Sequence, residues 1–417
     1  MIKTTRRLQD SGLVASFQNS CGLFAIDGGE RISRTDPYRY NKTNHNAAPE
    51  NTGKDGLGSN SWRDRDLRHE STASENHDRN SNYTSQVNGY LVKNSRPKYV
   101  VKNYFLYYLF RVGAALGQEV FYISFLPCTH WNLDPFLCRR LVNMWAVVMY
   151  IGQVSKDVLK WPRPYSPPVV KLETRVDAEY GMPSTHAMAA TSIFFTLLLS
   201  TKDRYQYPFE LGLMAASLLS TLVCLSRLYT GMHTVLDVVC GALISAVLMT
   251  VTFPLWDTFD HLQLTSPLSP IVAVVLPFLL SYFYPRLDHY STTRGDTTII
   301  LGAGAGCSVG YWANYQLGET YEPEGGFPIP IPAPTLDMAV YSFARFLVGI
   351  LSLVITRQVV KSLSLRVLCF WLKVSTKDAE ARQRVEIEVP SKFVTYFAIG
   401  FTNTVLVHKA FIFLGLF

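Results

Sequence analysis

Lys156-Asp-Val-Leu-Lys-Trp-Pro-Arg163-Pro164, Pro183-Ser184-Thr185-His186 and Ser226-Arg227-Leu-Tyr-Thr-Gly-Met-His233-Thr-Val-Leu-Asp237 are three polar islands, each at the edge of an apolar run. Fixed cations, imidazoles and a carboxylate are costly to hold near hydrocarbon, so their concentration at the ends of such runs points to a site rather than to incidental polarity. Working outward, apolar runs lie near 108–127, 141–157, 187–201, 208–226, 235–255, 268–284, 297–315, 337–356 and 394–415. Most are close to the roughly 20 residues that cross a bilayer as a helix. With one crossing per run, the three islands emerge on the same face. The pattern predicts an all-α fold, a polytopic membrane helical bundle of about nine transmembrane helices over residues 99–417, with a catalytic core at about 141–255.

Composition supports this division. The chain has 417 residues, 48% hydrophobic and only 17% charged, a balance that fits a membrane protein better than a pair of soluble domains. Residues 1–98 differ: they are rich in Asn, Ser, Gly, Asp and Arg, carry 15 Lys+Arg against 11 Asp+Glu, and show no sustained apolar period. Such a segment buries too little apolar surface to offset its ordering entropy, and a disordered polar N-terminal tail is expected. The formal charge of +7 is scattered through tail and loops, which suits loops facing an anionic bilayer surface and not a nucleic-acid interface. The seven cysteines have no metal-binding spacing. Residues 318–335, with a Pro-Ile-Pro-Ile-Pro-Ala-Pro run, are expected as loop, and the basic segment 359–374 as a helix lying on the membrane or a tenth span.

The islands carry the side chains that phosphate chemistry needs. Arg163 and Arg227 each offer a planar fork to two phosphate oxygens and Lys156 a point charge. Pro183 suits the first turn of a helix opening at Ser184, whose free N–H groups, dipole and hydroxyl would face the phosphate. His233 and Asp237 are four apart at a helix start, so the carboxylate can fix the imidazole's tautomer, and His233 is the candidate nucleophile for a phospho-histidine intermediate. His186 is the candidate acid that protonates the leaving alkoxide and then the base that activates water. Asp157, Glu173, Asp177 and Glu179 are not at useful spacing with the histidines for a metal, and nearby cations would repel one. Activity without a cofactor or divalent ion is expected.

Lys-x6-Arg-Pro, Pro-Ser-x-His and Ser-Arg-x5-His-x3-Asp together resemble the superfamily of membrane lipid phosphate phosphatases, glucose-6-phosphatase and the vanadium haloperoxidases. Here the second motif reads Pro-Ser-Thr-His where Pro-Ser-Gly-His is commoner, a change that leaves both roles available. More narrowly, Lys160-Trp161-Pro162-Arg163-Pro164, Glu179-Tyr180-Gly181-Met182-Pro183-Ser184-Thr185-His186-Ala187-Met188 and Ser226 to His233 are similar to the sphingosine-1-phosphate phosphatases. The resemblance implies a core six-helix lipid phosphate phosphatase bundle in the endoplasmic reticulum membrane. It also implies hydrolysis of sphingosine 1-phosphate and dihydrosphingosine 1-phosphate, and a site of His233, His186 and Asp237 with Lys156, Arg163, Ser184, Thr185 and Arg227 around the phosphate. A broader lipid phosphate or polyprenyl pyrophosphate phosphatase, and a non-catalytic phospholipid-binding membrane protein, are the alternatives. The resemblance further implies a lumenal site with a cytosolic N-terminus, which needs an odd number of spans before Lys156. The apolar runs give two.

Overall fold

Helix starts are written in short polar side chains that accept from first-turn amides: Asp10 from Gly12, Asn103 from Leu106, Asp134 from Phe136, Ser184 from Ala187, Thr234 from Asp237 and Thr335 from Met338. The computed structural model describes residues 7–26, 84–87, 90–93, 98–173, 179–285, 287, 290–323 and 326–416. In chain order these form α1 (Ser11–Ser20), β1 (Leu23–Ile26), β2 (Thr84–Val87), β3 (Tyr90–Lys93), β4 (Lys98–Val101), α2 (Tyr104–Leu116), α3 (Glu119–Asn132), α4 (Pro135–Leu159) and α5 (Thr185–Thr201). They continue through α6 (Phe209–Tyr229), α7 (Val235–Thr252), α8 (Trp256–Thr265), α9 (Ser269–Tyr282), α10 (Thr293–Gln316), α11 (Leu336–Trp371), α12 (Val385–Phe401) and α13 (Val407–Phe413). Residues 27–96 are a separate unit in which β2 and β3 pair antiparallel.

The rest is a helical bundle with two distinct ends. At one end lies the last turn of α4 with Lys156, and there Asp157 accepts from Tyr284, after α9, at 2.8 Å and from Thr293, which opens α10, at 2.5 Å. At the far end Arg139 in the first turns of α4 reaches Asp260 of α8 at 3.4 Å, and Arg204, just past α5, pairs with Asp134. Trp131 at the end of α3 meets Phe411 of α13 there, and Lys409 meets Glu319 at 3.3 Å. Helices therefore alternate in direction, with α2–α3, α7–α8 and α12–α13 each forming one end-to-end pass. Tyr122, Leu141, Trp145, Ala190, Ile193 and Val223 fill the centre, while Phe105, Leu243, Val247, Leu276 and Phe343 point outward and exposed. That inside-out apolarity is what a hydrocarbon solvent permits.

Among the described residues four helices are long and apolar enough to cross a membrane, or five if the bent pair α2–α3 counts as one; the nine crossings expected from the sequence are not all met on that measure. The shortfall has physical causes: α5 and α9 are short, and α4 and α10 carry polar groups that other helices cover. Two expectations are corrected outright. Residues 359–374 are neither a surface helix nor a tenth span, because α11 runs unbroken over 36 residues from Leu336 to Trp371, with no proline to stop it. The N-terminal tail is not wholly disordered either. α1 packs Val14 and Ala15 against Val169, β1 pairs with β4, and Gln18, 1% exposed, donates to the carbonyls of Val170 (2.7 Å) and Tyr229 (2.8 Å) while accepting from the Val170 amide (2.9 Å). Much of the remaining tail lies outside the described residues.

These contacts also fix sidedness. α1, β4 and the start of α2, where Phe110 stacks on Tyr229, lie at the Lys156 end, and α2–α3 bends by 61° but passes once through the bundle. Two passes thus precede Lys156, so the N-terminal helix shares the face of the three islands, against the opposite-face arrangement that the resemblance implies.

Gln18→Ala would leave three buried backbone groups without partners, at about 1–3 kcal/mol for such a group. It is expected to lower the Tm of the detergent-solubilised protein by several degrees; an unchanged Tm would show that α1 contributes nothing to the fold.

Candidate active site

Four helix ends converge: the last turns of α4 and α6 and the first turns of α5 and α7. Lys156 sits in the last turn of α4, which closes on Lys160 in the left-handed region (φ 49°). The chain then crosses to Arg163, whose Nε donates to the Glu179 carbonyl and Nη1 to the Met232 carbonyl, both at 2.9 Å. The Gly181 amide donates to Trp161 O (2.7 Å), the Leu172 amide to Thr230 O (3.0 Å), and the Ser184 amide to Asp237 O (3.0 Å). The last of these ties the start of α5 to that of α7. Between α6 and α7, Gly231 takes φ +70°, and an added Cβ would collide with the Val170 carbonyl; only glycine suits that turn. The turn delivers His233. Thr234 then caps α7 reciprocally with Asp237, whose Oδ2 accepts from the Thr234 amide at 2.7 Å.

All the site residues expected from the sequence are thus brought to one end of the bundle, with Lys156, Ser184, Thr185, Arg227, His233 and Asp237 buried and Arg163 and His186 partly so. Lys156 is 1% exposed and Arg227 and His233 are 0%. Both ring nitrogens of His233, Nδ1 of His186 and Nε of Arg227 have no hydrogen-bond partner among the described residues. His233 lies in the electrostatic field of Arg163, Arg227, Lys156 and His186. Burial first, then those cations, hold its pKa well below the ordinary 6.5. Burial likewise lowers Arg163, against the pull of Glu179, to about 10.

Several details depart from expectation. Pro183 stands before the cap and not in the first helical turn, which begins at Thr185, and Ser184 Oγ accepts from the Ala187 amide. Thr185 packs beside Gly152. Asp237 approaches His233 Nδ1 only to 3.7 Å, beyond a hydrogen bond, because its oxygen is already engaged in the cap. The guanidinium forks also hold protein groups: Arg227 donates from Nη1 and Nη2 to the two oxygens of Glu173 at 2.9 and 3.0 Å, and Glu179 lies 3.5 Å from both Lys156 and Arg163. These two carboxylates were missed as site residues. The signal for them was the cations themselves, since buried charge needs counter-charge. Among the described residues no three His, Cys, Asp or Glu side chains are grouped so as to hold a metal.

Residues 138–260, which contain this whole constellation, match the PAP2 superfamily. Human sphingosine-1-phosphate phosphatase 2 is 53% identical over the full length of both chains, and the mouse protein of the same name is 60% identical over 77% of this chain and 92% of its own. The chain belongs to the sphingosine-1-phosphate phosphatase family. A fission-yeast dihydrosphingosine 1-phosphate phosphatase is 31% identical over 53% of this chain, and no solved structure gives a significant match. In this chain the cations of the candidate site and the loops that carry them are one connected set, with Arg163 as the bolt.

Gly231→Ala must displace either Val170 or His233. It is expected to cut turnover at least about tenfold, given the cost of placing a non-glycine residue at positive φ against a backbone oxygen. Phosphate release from the purified variant at full activity would contradict the tight turn.

Proposed function

We propose that this protein hydrolyses sphingosine 1-phosphate and dihydrosphingosine 1-phosphate to the free long-chain base and inorganic phosphate. We place the reaction at one end of a bundle whose nine passes all lie in the endoplasmic reticulum membrane. The observation that carries the reading is His233: a buried, neutral imidazole with both nitrogens unpartnered, among Lys156, Arg163, Arg227 and His186. The names of the relatives supply the substrate class.

In the first half, Lys156, Arg163 and Arg227, with the Ser184 and Thr185 hydroxyls, grip the non-bridging oxygens while His233 attacks phosphorus. The N–P bond forms as the ester P–O bond breaks, and His186 gives its proton to the departing alkoxide. That proton can arrive on the monoester, whose second pKa is about 6. In the second half, His186 takes a proton from water, the resulting hydroxide attacks phosphorus, the N–P bond breaks, and phosphate leaves. Asp237 holds α7 capped so that His233 keeps its aim. The cations supply the charge that phosphoryl transfer needs at the equatorial oxygens, and no divalent ion is assigned a role.

His233→Ala is expected to abolish both turnover and the acid-labile phosphoenzyme trapped from labelled sphingosine 1-phosphate; a variant that still turns over removes the nucleophile. His186→Ala should lose roughly 10²–10⁴ in rate on alkyl phosphates but less on an aryl phosphate whose leaving group needs no proton, and equal losses would count against the acid role. Activity unchanged by a chelator is the expected outcome for the metal-free route.

A further inference from the structure

Formal charge around the phosphate site cancels. Lys156, Arg163 and Arg227 face Glu173, Glu179 and Asp237, about two imidazoles of which at least His233 is neutral. For a phosphatase acting on any dianionic ester this is a poor arrangement, since every carboxylate repels the substrate. Asp237 has a structural reason to be present, as the cap of α7. Glu179 has one too: its carboxylate accepts from the Thr292 hydroxyl at 3.2 Å and its own carbonyl holds Arg163. Glu173 is placed differently. It meets the terminal nitrogens of a fully buried Arg227, while the Nε edge of the same guanidinium has no hydrogen-bond partner among the described residues. A phosphate taken side-on at Nε would therefore sit beside the Glu173 carboxylate without displacing it.

We infer that Glu173 is a specificity-determining residue that receives the ammonium group of the long-chain base. The inference rests on the function proposed above. In a long-chain base phosphate the carbon next to the phosphate-bearing one carries a primary ammonium, so cation and dianion enter together. A carboxylate held at 2.9–3.0 Å from Arg227 is within reach of that ammonium when the guanidinium holds the phosphate. A lipid phosphate with an ester or amide at that carbon brings two negative charges and no compensating one, and leaves Glu173 facing the phosphate unpaired. Discrimination then comes from penalising the wrong ligand as much as from attracting the right one.

The test uses headgroup fragments and one variant of the full chain. Calorimetry on the wild-type protein should show phosphoethanolamine binding about tenfold or more tightly than ethyl phosphate; equal affinities overturn the inference without any substitution and whether or not the protein turns over. Glu173→Gln should lower kcat/KM on sphingosine 1-phosphate about 10- to 100-fold further than on N-acetylsphingosine 1-phosphate. If both lipids lose equally, Glu173 is only a positioning residue for Arg227 and the inference fails. Absence of phosphate release from every lipid fails the proposed function instead, and the fragment affinities still decide the role of Glu173.

Discussion

Charge held at the edge of hydrocarbon must be compensated within the protein, and this one requirement organises the bundle. At the Lys156 end the cations are met by Glu173, Glu179 and backbone carbonyls. At the far end Arg139, Arg140 and Arg204 are met by Asp134, Asp260 and Glu322, with the Phe136 ring against all three guanidinium groups. Between these two polar clamps the interior packs apolar side chains such as Leu141, Ala190 and Ile193 around buried hydroxyls such as those of Thr191 and Ser220. Removing one partner from either clamp leaves an uncompensated buried charge, which costs far more than a surface ion pair is worth.

Folding and chemistry are therefore not separable at the site. Arg163 spends Nε and Nη1 on carbonyls that join residues 163, 179 and 232, and Asp237 spends one oxygen on a helix cap. Both belong to the phosphatase constellation, yet each is also a structural fastening. Replacing either changes where His233 points as well as the local charge.

Much of this was legible in the sequence because helix ends announce themselves. Ser184 marks a helix start, and the apolar runs fix which islands share a face. The gathering of the candidate site residues at one end was legible because their residue types are expensive in a membrane. What escaped was long-range pairing. Nothing in the spacing of Glu173 and Arg227 says that the chain folds back across a separation of 54 residues to join them, and Gln18 sits 152 residues from Val170 in a polar stretch that composition alone reads as unstructured. The length of α11 was hidden for the opposite reason: basic residues such as Arg357 and Lys361 look like the end of a span, although nothing in the backbone stops the helix there.

The seating of α1 beside Tyr229 and Val170 bears on sidedness in the cell. α1 and the candidate site lie at the same end of the bundle and face the same aqueous phase. Whichever phase bathes Ser11 also receives the liberated inorganic phosphate, and the sphingoid base must flip between leaflets before it can be used on the other side.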